Sequence, residues 1–550
     1  MRPYVKRMIR AGLGLIVPWI FLAGCGPSTT PVEEATAEKV LILGNGSEPK
    51  NLDPHTVTGV TENKIITALM EGLIAYAEKD DNVLEPGMAR HWESDARARV
   101  WTFHLRDARW SNEDPVTAGD FVYSWRRMLT PELGAEYADM LYILENGEAY
   151  HKGEIEDFSE VGVEAIDDKT LKVTLVGPTP YFPSMLKHYS WFPVNPRTIE
   201  AFDAYTDRSS EWVRPGNYVG NGPFILKRWE TNTVVEVVRN PAYWDADTVK
   251  LNGILFLPIE NADTEERTFR AGQLHHANTV PLDKIDAYRN DPDPDVRALL
   301  RIEPYLGNYF YRFNVTRPPL DNPKVRQALN WAIDRESLVT NVTRGGQQPA
   351  TSFTPPGMKG YEPPNRYGHD PDRARELLAE AGYPGGEGIR ELEILINTSE
   401  SHRTIAEAIQ RMWKETLGID VSIVNQEWKV YLDSQSNLDY DISRSGWIGD
   451  YMDPVTFLKM WTTGNGNNDT GWGSPVYDEL IAASRQEADQ SVRYDLMRRA
   501  ETILLEEGPI MPIYIYTRNY LLHPDVRHWY PKLLDNRHYK FIDLVDADGE

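Results

Sequence analysis

A chain of 550 residues without an internal repeat cannot close around one hydrophobic core. Single cores stop growing at roughly 250–300 residues, and longer chains divide. Two or three lobes are therefore expected. They should be globular, since 41% of residues are hydrophobic and 11% aromatic, far from a disordered profile. No covalent staple assists them. Cys25 is the only cysteine, so the chain has neither a disulfide framework nor a thiolate metal site, and packing must hold each lobe.

That cysteine closes the most legible segment. Arg2, Lys6, Arg7 and Arg10 form a basic start, and the mostly apolar run Ala11 to Ala23 is too short to span a membrane. It reads as an export signal. Leu22-Ala-Gly-Cys25 at its end resembles a bacterial lipobox, which implies removal of residues 1–24 and diacylation of the Cys25 thiol. The alternative is an ordinary signal peptide with an incidental cysteine. Residues 25–39, rich in Pro, Ser, Thr and Glu, read as a flexible tether. Two or three acyl chains would anchor the protein stably, in the periplasm or at the outer face of a membrane. Four of the 58 basic side chains and none of the 83 acidic ones lie in residues 1–24, so the mature chain carries 54 against 83, a net of −29. That balance disfavours nucleic acid and anionic lipid as partners.

Farther along, Tyr440 to Ser443 alternates apolar and polar residues as a strand does, and Gly446 and Gly449 then allow a tight turn or a close approach. Arg444, Trp447, Asp450 and Tyr451 crowd into that bend. An open strand edge there could pair with a ligand main chain, and a carboxylate could receive an ammonium. The plainer alternative is that Asp450 caps the helix implied by Pro454 to Trp461, with Trp447 simply core. Upstream, Val40 to Leu43 reads as a buried strand, and a helix should start near Thr61 to Lys64, with Ile65, Ile66, Leu69, Met70 and Leu73 on its apolar face. Val100 to Arg106 is a period-two strand, and Thr117-Ala-Gly-Asp120 opens another helix.

Several blocks resemble the bacterial extracellular solute-binding proteins of family 5, which serve oligopeptide, dipeptide and nickel transporters. They are Trp92…Trp101-Thr-Phe-His-Leu-Arg…Trp110-Ser-Asn…Pro115-Val-Thr-Ala…Asp120, Asn221-Gly-Pro-Phe, Arg239-Asn-Pro-Ala-Tyr-Trp244, Asn308 to Asn314, Asn330 to Arg335 and Glu427-Trp428. Glu113 stands where the family usually has Gly, so that turn is expected to differ in shape. The resemblance covers about residues 40–545, and the oligopeptide branch fits best. It implies an α/β fold: a bilobal periplasmic-binding-protein clamp of type II with an additional, family-specific domain. Lobe I would comprise residues 40–72, 198–306 and 517–550, domain II residues 73–197 and lobe III residues 307–516, with hinges near 306–308 and 516–518.

The resemblance also implies site residues. Asp450 would receive a peptide's α-ammonium. An ammonium has three donors and no acceptor, so burying one calls for a charged acceptor. Arg317, His402 and Arg444 would meet carboxyl ends of peptides of different length, while Gln435 replaces a further basic position. Val60, Thr61 and Glu62 would lie on a lobe-I strand pairing with the peptide, and Gly446 to Ile448 would pair from the other lobe. Tyr137 and Trp447 would wall pockets. Gly307 and Ile448 stand where members often carry a disulfide, so both halves are missing together.

Motifs for an enzyme are sparse. His-Glu-x-x-His, Gly-x-Ser-x-Gly, a phosphate-binding loop and a dinucleotide fingerprint are all absent, and His275-His276 reads as a strand-and-surface pair. No catalytic residue, metal or cofactor is expected. The protein is expected to be a monomeric, lipid-anchored receptor that captures oligopeptides and delivers them to the permease of an ATP-driven importer. The open alternatives are the same clamp for dipeptides, murein peptides, a nickel chelate or a sugar, and a secreted hydrolase or sensor component.

Overall fold

The computed structural model describes residues 29–358 and 360–546. The expected export signal and Cys25 therefore lie outside the described residues. Of the expected tether, Pro31–Ala37 forms a helix instead. Thr30 and Glu33 close a capping box on its first turn, and Val32 and Ala35 are buried. Seven residues do not hold a helix in water by themselves. This one is held by docking: Val32 N donates to Gly272 O at 3.0 Å, and the Thr36 hydroxyl donates to Asp525 at 3.0 Å.

The architecture is α/β, and one 11-stranded mixed sheet runs through both lobes. On one side Val40–Gly44 pairs in parallel with Gly253–Leu257 and His276–Ala277. On the other, Leu392–Asn397 pairs in parallel with Val421–Gln426 and with Ile442 and Ser443. Two long strands, Leu300–Phe313 and Ile510–Leu522, join the halves as an antiparallel pair. Their ladder is interrupted between Pro304, opposite Thr517, and Asn308, opposite Ile515. Proline has no N–H to offer a ladder, so a break is physically expected there. His275 and His276 are both buried, contrary to a surface reading: His275 Nδ1 meets Ile42 N at 3.0 Å.

Residues 73–197 contain a separate four-stranded antiparallel sheet in the order Ala89–Ser94, Val100–Leu105, Thr170–Thr174, Val163–Asp167. Trp101, Phe103 and Leu105 point to its core, as alternation requires. Helix Ala118–Leu129 packs over it, opened by the Thr117–Asp120 capping box, and the Trp110 indole donates to Asp120 at 2.9 Å. The turn before it keeps the conformation a glycine would take. Glu113 sits at φ +73°, left-handed, with its N–H donating to Trp110 O at 2.9 Å. Buried Arg127 on this helix pairs with Asp53 at 2.7 Å, tying the extra sheet to the first lobe.

Candidate ligand-binding site

The strand Ile442–Ile448 is the floor of the site. One edge pairs with the long strand from Gly307 opposite Ile448 to Phe313 opposite Ile442. On its other edge only Ile442 and Ser443 have strand partners. Among the described residues no strand covers that edge from Arg444 to Ile448, where the chain is half-buried. Gly307 and Ile448 face each other directly, and a Cβ on Gly307 would meet Ile448 Cδ1 at 2.3 Å. The isoleucine fills the space that a disulfide would cross, so the two substitutions belong together sterically.

Asp450 follows this strand. It does not cap the helix Val455–Leu458, whose N-cap is Pro454; Asp453, just before it, accepts from Val455 N at 3.0 Å. Asp453 is also held by Arg493 at 2.6 and 2.7 Å. Asp450 is instead aimed inward, its side chain 6% exposed. The Thr456 hydroxyl accepts from Asp450 N and donates to Oδ2, each at 3.0 Å. The Tyr137 hydroxyl donates to Oδ1 at 3.4 Å, and His188 Nε2 lies 3.8 Å from it. His188 is no counter-ion, because burial and then Lys459 push it down to about 3. Burial correspondingly raises Asp450 to about 6, opposed by the nearby Lys459 charge. The result is a buried carboxylate with no directly paired cation among the described residues.

Six residues back, Arg444 presents the opposite charge. Its guanidinium donates to the Tyr516 hydroxyl at 2.8 Å and to Asn397 Oδ1 at 3.3 Å, and lies 4.8 Å from the centre of the Tyr309 ring. No carboxylate of the described residues pairs with it, and its Nε has no hydrogen-bond partner. Gly446 makes room for this cage, since a Cβ there would meet the Tyr516 hydroxyl at 2.6 Å. Gln435 lies within the helix Trp428–Ser436, and its amide donates to Ser443 Oγ at 2.8 Å and Arg444 O at 3.1 Å. It holds the strand and offers no charge.

Other expected residues differ. Val60, Thr61 and Glu62 are not a strand; they begin the helix Val60–Leu69. Gly59 is the extended residue before it, and Glu62 turns back to accept from Lys50 N at 2.7 Å. His402, on the helix Glu400–Leu417, lies with Nδ1 3.3 Å from the Tyr309 hydroxyl. Burial, reinforced by Arg444, holds it well below 6.5, so it is a neutral imidazole. Arg317 is on the surface, 42% exposed and paired with Asp439 at 3.3 Å, beyond the strand end opposite Asp450. Trp447 leans inward and donates to Thr456 O at 2.9 Å. Tyr309, Tyr516, Asn397 and Lys459 were not anticipated. The alternations Tyr309-Phe-Tyr311 and Tyr514-Ile-Tyr516 are the signal for the aromatic cage, because period two puts those rings on one face.

Known proteins are similar to this chain in sequence and fold. The model of the bacterial extracellular solute-binding proteins, family 5, matches residues 83–469. The chain belongs to that family. An oligopeptide-binding protein, OppA of Bacillus subtilis, is 37% identical over 90% of each chain. The structure of Haemophilus influenzae OppA in complex with the peptide RPPGFSPFR is similar with a TM-score of 0.85 and 33% identity, over 92% of this chain and 99% of that one. The murein tripeptide binding protein MppA of Escherichia coli gives a TM-score of 0.86 at 34% identity over 92% and 98%, but its unliganded open form gives 0.67 over 95% and 100%. The bilobal family 5 clamp thus stands here in an arrangement unlike that open form. Family members are solute-binding proteins, and the family is extracellular or periplasmic.

Proposed function

We propose that this family 5 protein is the lipid-anchored substrate-binding component of an ABC peptide importer, capturing oligopeptides between its lobes and delivering them to the permease. The observation that carries the reading is the unpaired buried carboxylate of Asp450 at one end of an uncovered strand edge. The caged guanidinium of Arg444, also without a carboxylate, lies toward the other end. The two ends suit the two ends of a peptide, and backbone groups between them suit its main chain, whatever its side chains. Six chain positions separate them, at most about 20 Å before the side chains reach inward, which fits an extended peptide of about three to five residues. The relatives' names, oligopeptide-binding and murein tripeptide binding, point the same way. Lobe I would be residues 40–72, 198–306 and 517–550, domain II 73–197 and lobe III 307–516, closing about the two long strands. Cys25 would carry the lipid and keep the protein at a membrane face.

Native mass spectrometry of gently purified protein tests this. Adducts at masses of short peptides, lost when the protein is unfolded and refolded and regained with trialanine, are expected. Sugar or metal-chelate adducts would contradict the reading, and cleaved trialanine would point to a hydrolase.

A further inference from the structure

The charge beside Asp450 is not left to the ligand alone. Thr456 and Lys459 are three residues apart on the helical stretch Val455 to Trp461 and so share a face. Thr456 holds the Asp450 carboxylate, and Lys459 projects alongside. From the opposite side, Tyr137 and Asp139 come from the turn of helix around Ala138–Ile143. Tyr137 reaches Asp450 while Lys459 Nζ pairs with Asp139 Oδ2 at 3.2 Å, their side chains 5% and 15% exposed. Neither Asp139 oxygen has another hydrogen-bond partner.

Of the other titratable groups around Asp450, the imidazole and the phenols are uncharged, and Arg485 lines the cavity that Asp139, Lys459 and Tyr451 share. His188 is held neutral, and burial raises the hydroxyls of Tyr76, Tyr137, Tyr189 and Tyr451 above 10. The charged groups of this neighbourhood are thus Asp450, Lys459, Asp139 and, on the far side of the shared cavity, Arg485. Lys459 and Asp139 also lie on opposite sides of the boundary between residues 73–197 and 307–516. Separating those segments would break their pair and expose both charges to water.

We propose that Lys459 and Asp139 are positioning residues for the amine site: Lys459 keeps the Asp450 carboxylate charged in the empty cleft, and Asp139 restrains Lys459 from neutralising it outright. This rests on the reading of Asp450 as the amine anchor. Coulomb's law gives the two partners opposite signs. Removing the Lys459 charge makes Asp450 easier to protonate, and a protonated carboxyl does not hold an ammonium. Removing the Asp139 charge does the reverse.

Calorimetry with trialanine between pH 5 and 7.5 reads both signs. Above its acid limb the affinity of the unaltered protein should be flat, then fall up to tenfold per pH unit below about 6. In Lys459→Met the fall should begin about one pH unit higher, so that affinity at pH 6 is roughly fivefold weaker. Lys459→Arg should restore the original profile. Asp139→Asn should move the fall to lower pH. Folding of each variant is checked by circular dichroism, and Asp139→Asn alone decides the sign if Lys459→Met does not fold. Profiles that shift in the same direction in both variants, or in neither, would overturn the proposal. N-acetyl-trialanine on the unaltered protein separates the two layers. Undiminished binding of that ligand means the anchor reading has failed, whereas lost binding with unshifted variant profiles means that only the roles of Lys459 and Asp139 have failed.

Discussion

At the scale of the residue, Asp450 costs the empty protein stability. A carboxylate whose folded value is raised from 3.8 to about 6 takes up protons more readily folded than unfolded. Its contribution is therefore harmless below about pH 4, grows adverse as pH rises through the window to about 6, and is fully adverse above it. Two units correspond to at most about 3 kcal/mol. Asp450→Asn keeps an acceptor oxygen for Thr456 but removes the charge. The stripped, peptide-free variant should therefore be more stable than the unaltered protein in urea at pH 8, with the difference shrinking as pH falls through 6 and vanishing below about pH 3.5. An Asp450→Asn variant destabilised at pH 8 would mean that the carboxylate is satisfied internally and is not waiting for a partner. Arg444 is a different case, since its tyrosine cage and Asn397 solvate it within the protein.

At the scale of the element, Glu113 shows that a departure from the family's usual glycine need not change a turn. The flanking bonds, Glu113 N to Trp110 O and Arg109 to Glu113 O at 2.7 Å, hold it in the left-handed region at φ +73°. A side chain there costs roughly 1–2 kcal/mol. Glu113→Gly should therefore leave the fold intact and change stability by less than that gain implies, since glycine also loosens the unfolded chain. A net stabilisation of up to about 1 kcal/mol is expected in urea titrations, and a loss of more than that would show the turn to be held by the glutamate itself. Elements like this were legible because period and caps are local. The strand Val100–Leu105, the Thr117–Asp120 cap and the half-open strand around Arg444 follow from alternation and turn residues within a few positions. The strand at Val60 to Glu62 is implied by the resemblance alone, whereas the apolar spacing from Ile65 predicts a helix starting near Thr61, and the structure follows the spacing. The helix Pro31–Ala37 was invisible for the converse reason: its composition is that of a linker, and its stability comes from Gly272 and Asp525, more than two hundred residues away.

At the scale of the whole molecule, what could not be read was convergence. Lys459 and Asp139 are 320 positions apart, and nothing local marks either as a partner of Asp450. Likewise His402 and Arg317 carry basic side chains that suit a carboxylate, yet the fold makes one neutral and leaves the other in solvent, paired with Asp439. Across the same boundary, Tyr181 stacks with Tyr451 at 5.9 Å and lies under the Arg493 guanidinium at 4.5 Å. These contacts close the protein around Asp450 from both sides, and on the proposed reading its counter-charge is the peptide's amine. The measurement that tests this most directly is calorimetry on four combinations: unaltered protein and Asp450→Asn, each with trialanine and with N-acetyl-trialanine. Each single change should weaken binding by about 2–5 kcal/mol, as cutting one side of a buried charge pair does. Both together should cost hardly more than either, because they remove the same interaction. Acetylated peptide binding the unaltered protein as tightly as free peptide, or two losses that simply add, would contradict an ammonium held by Asp450.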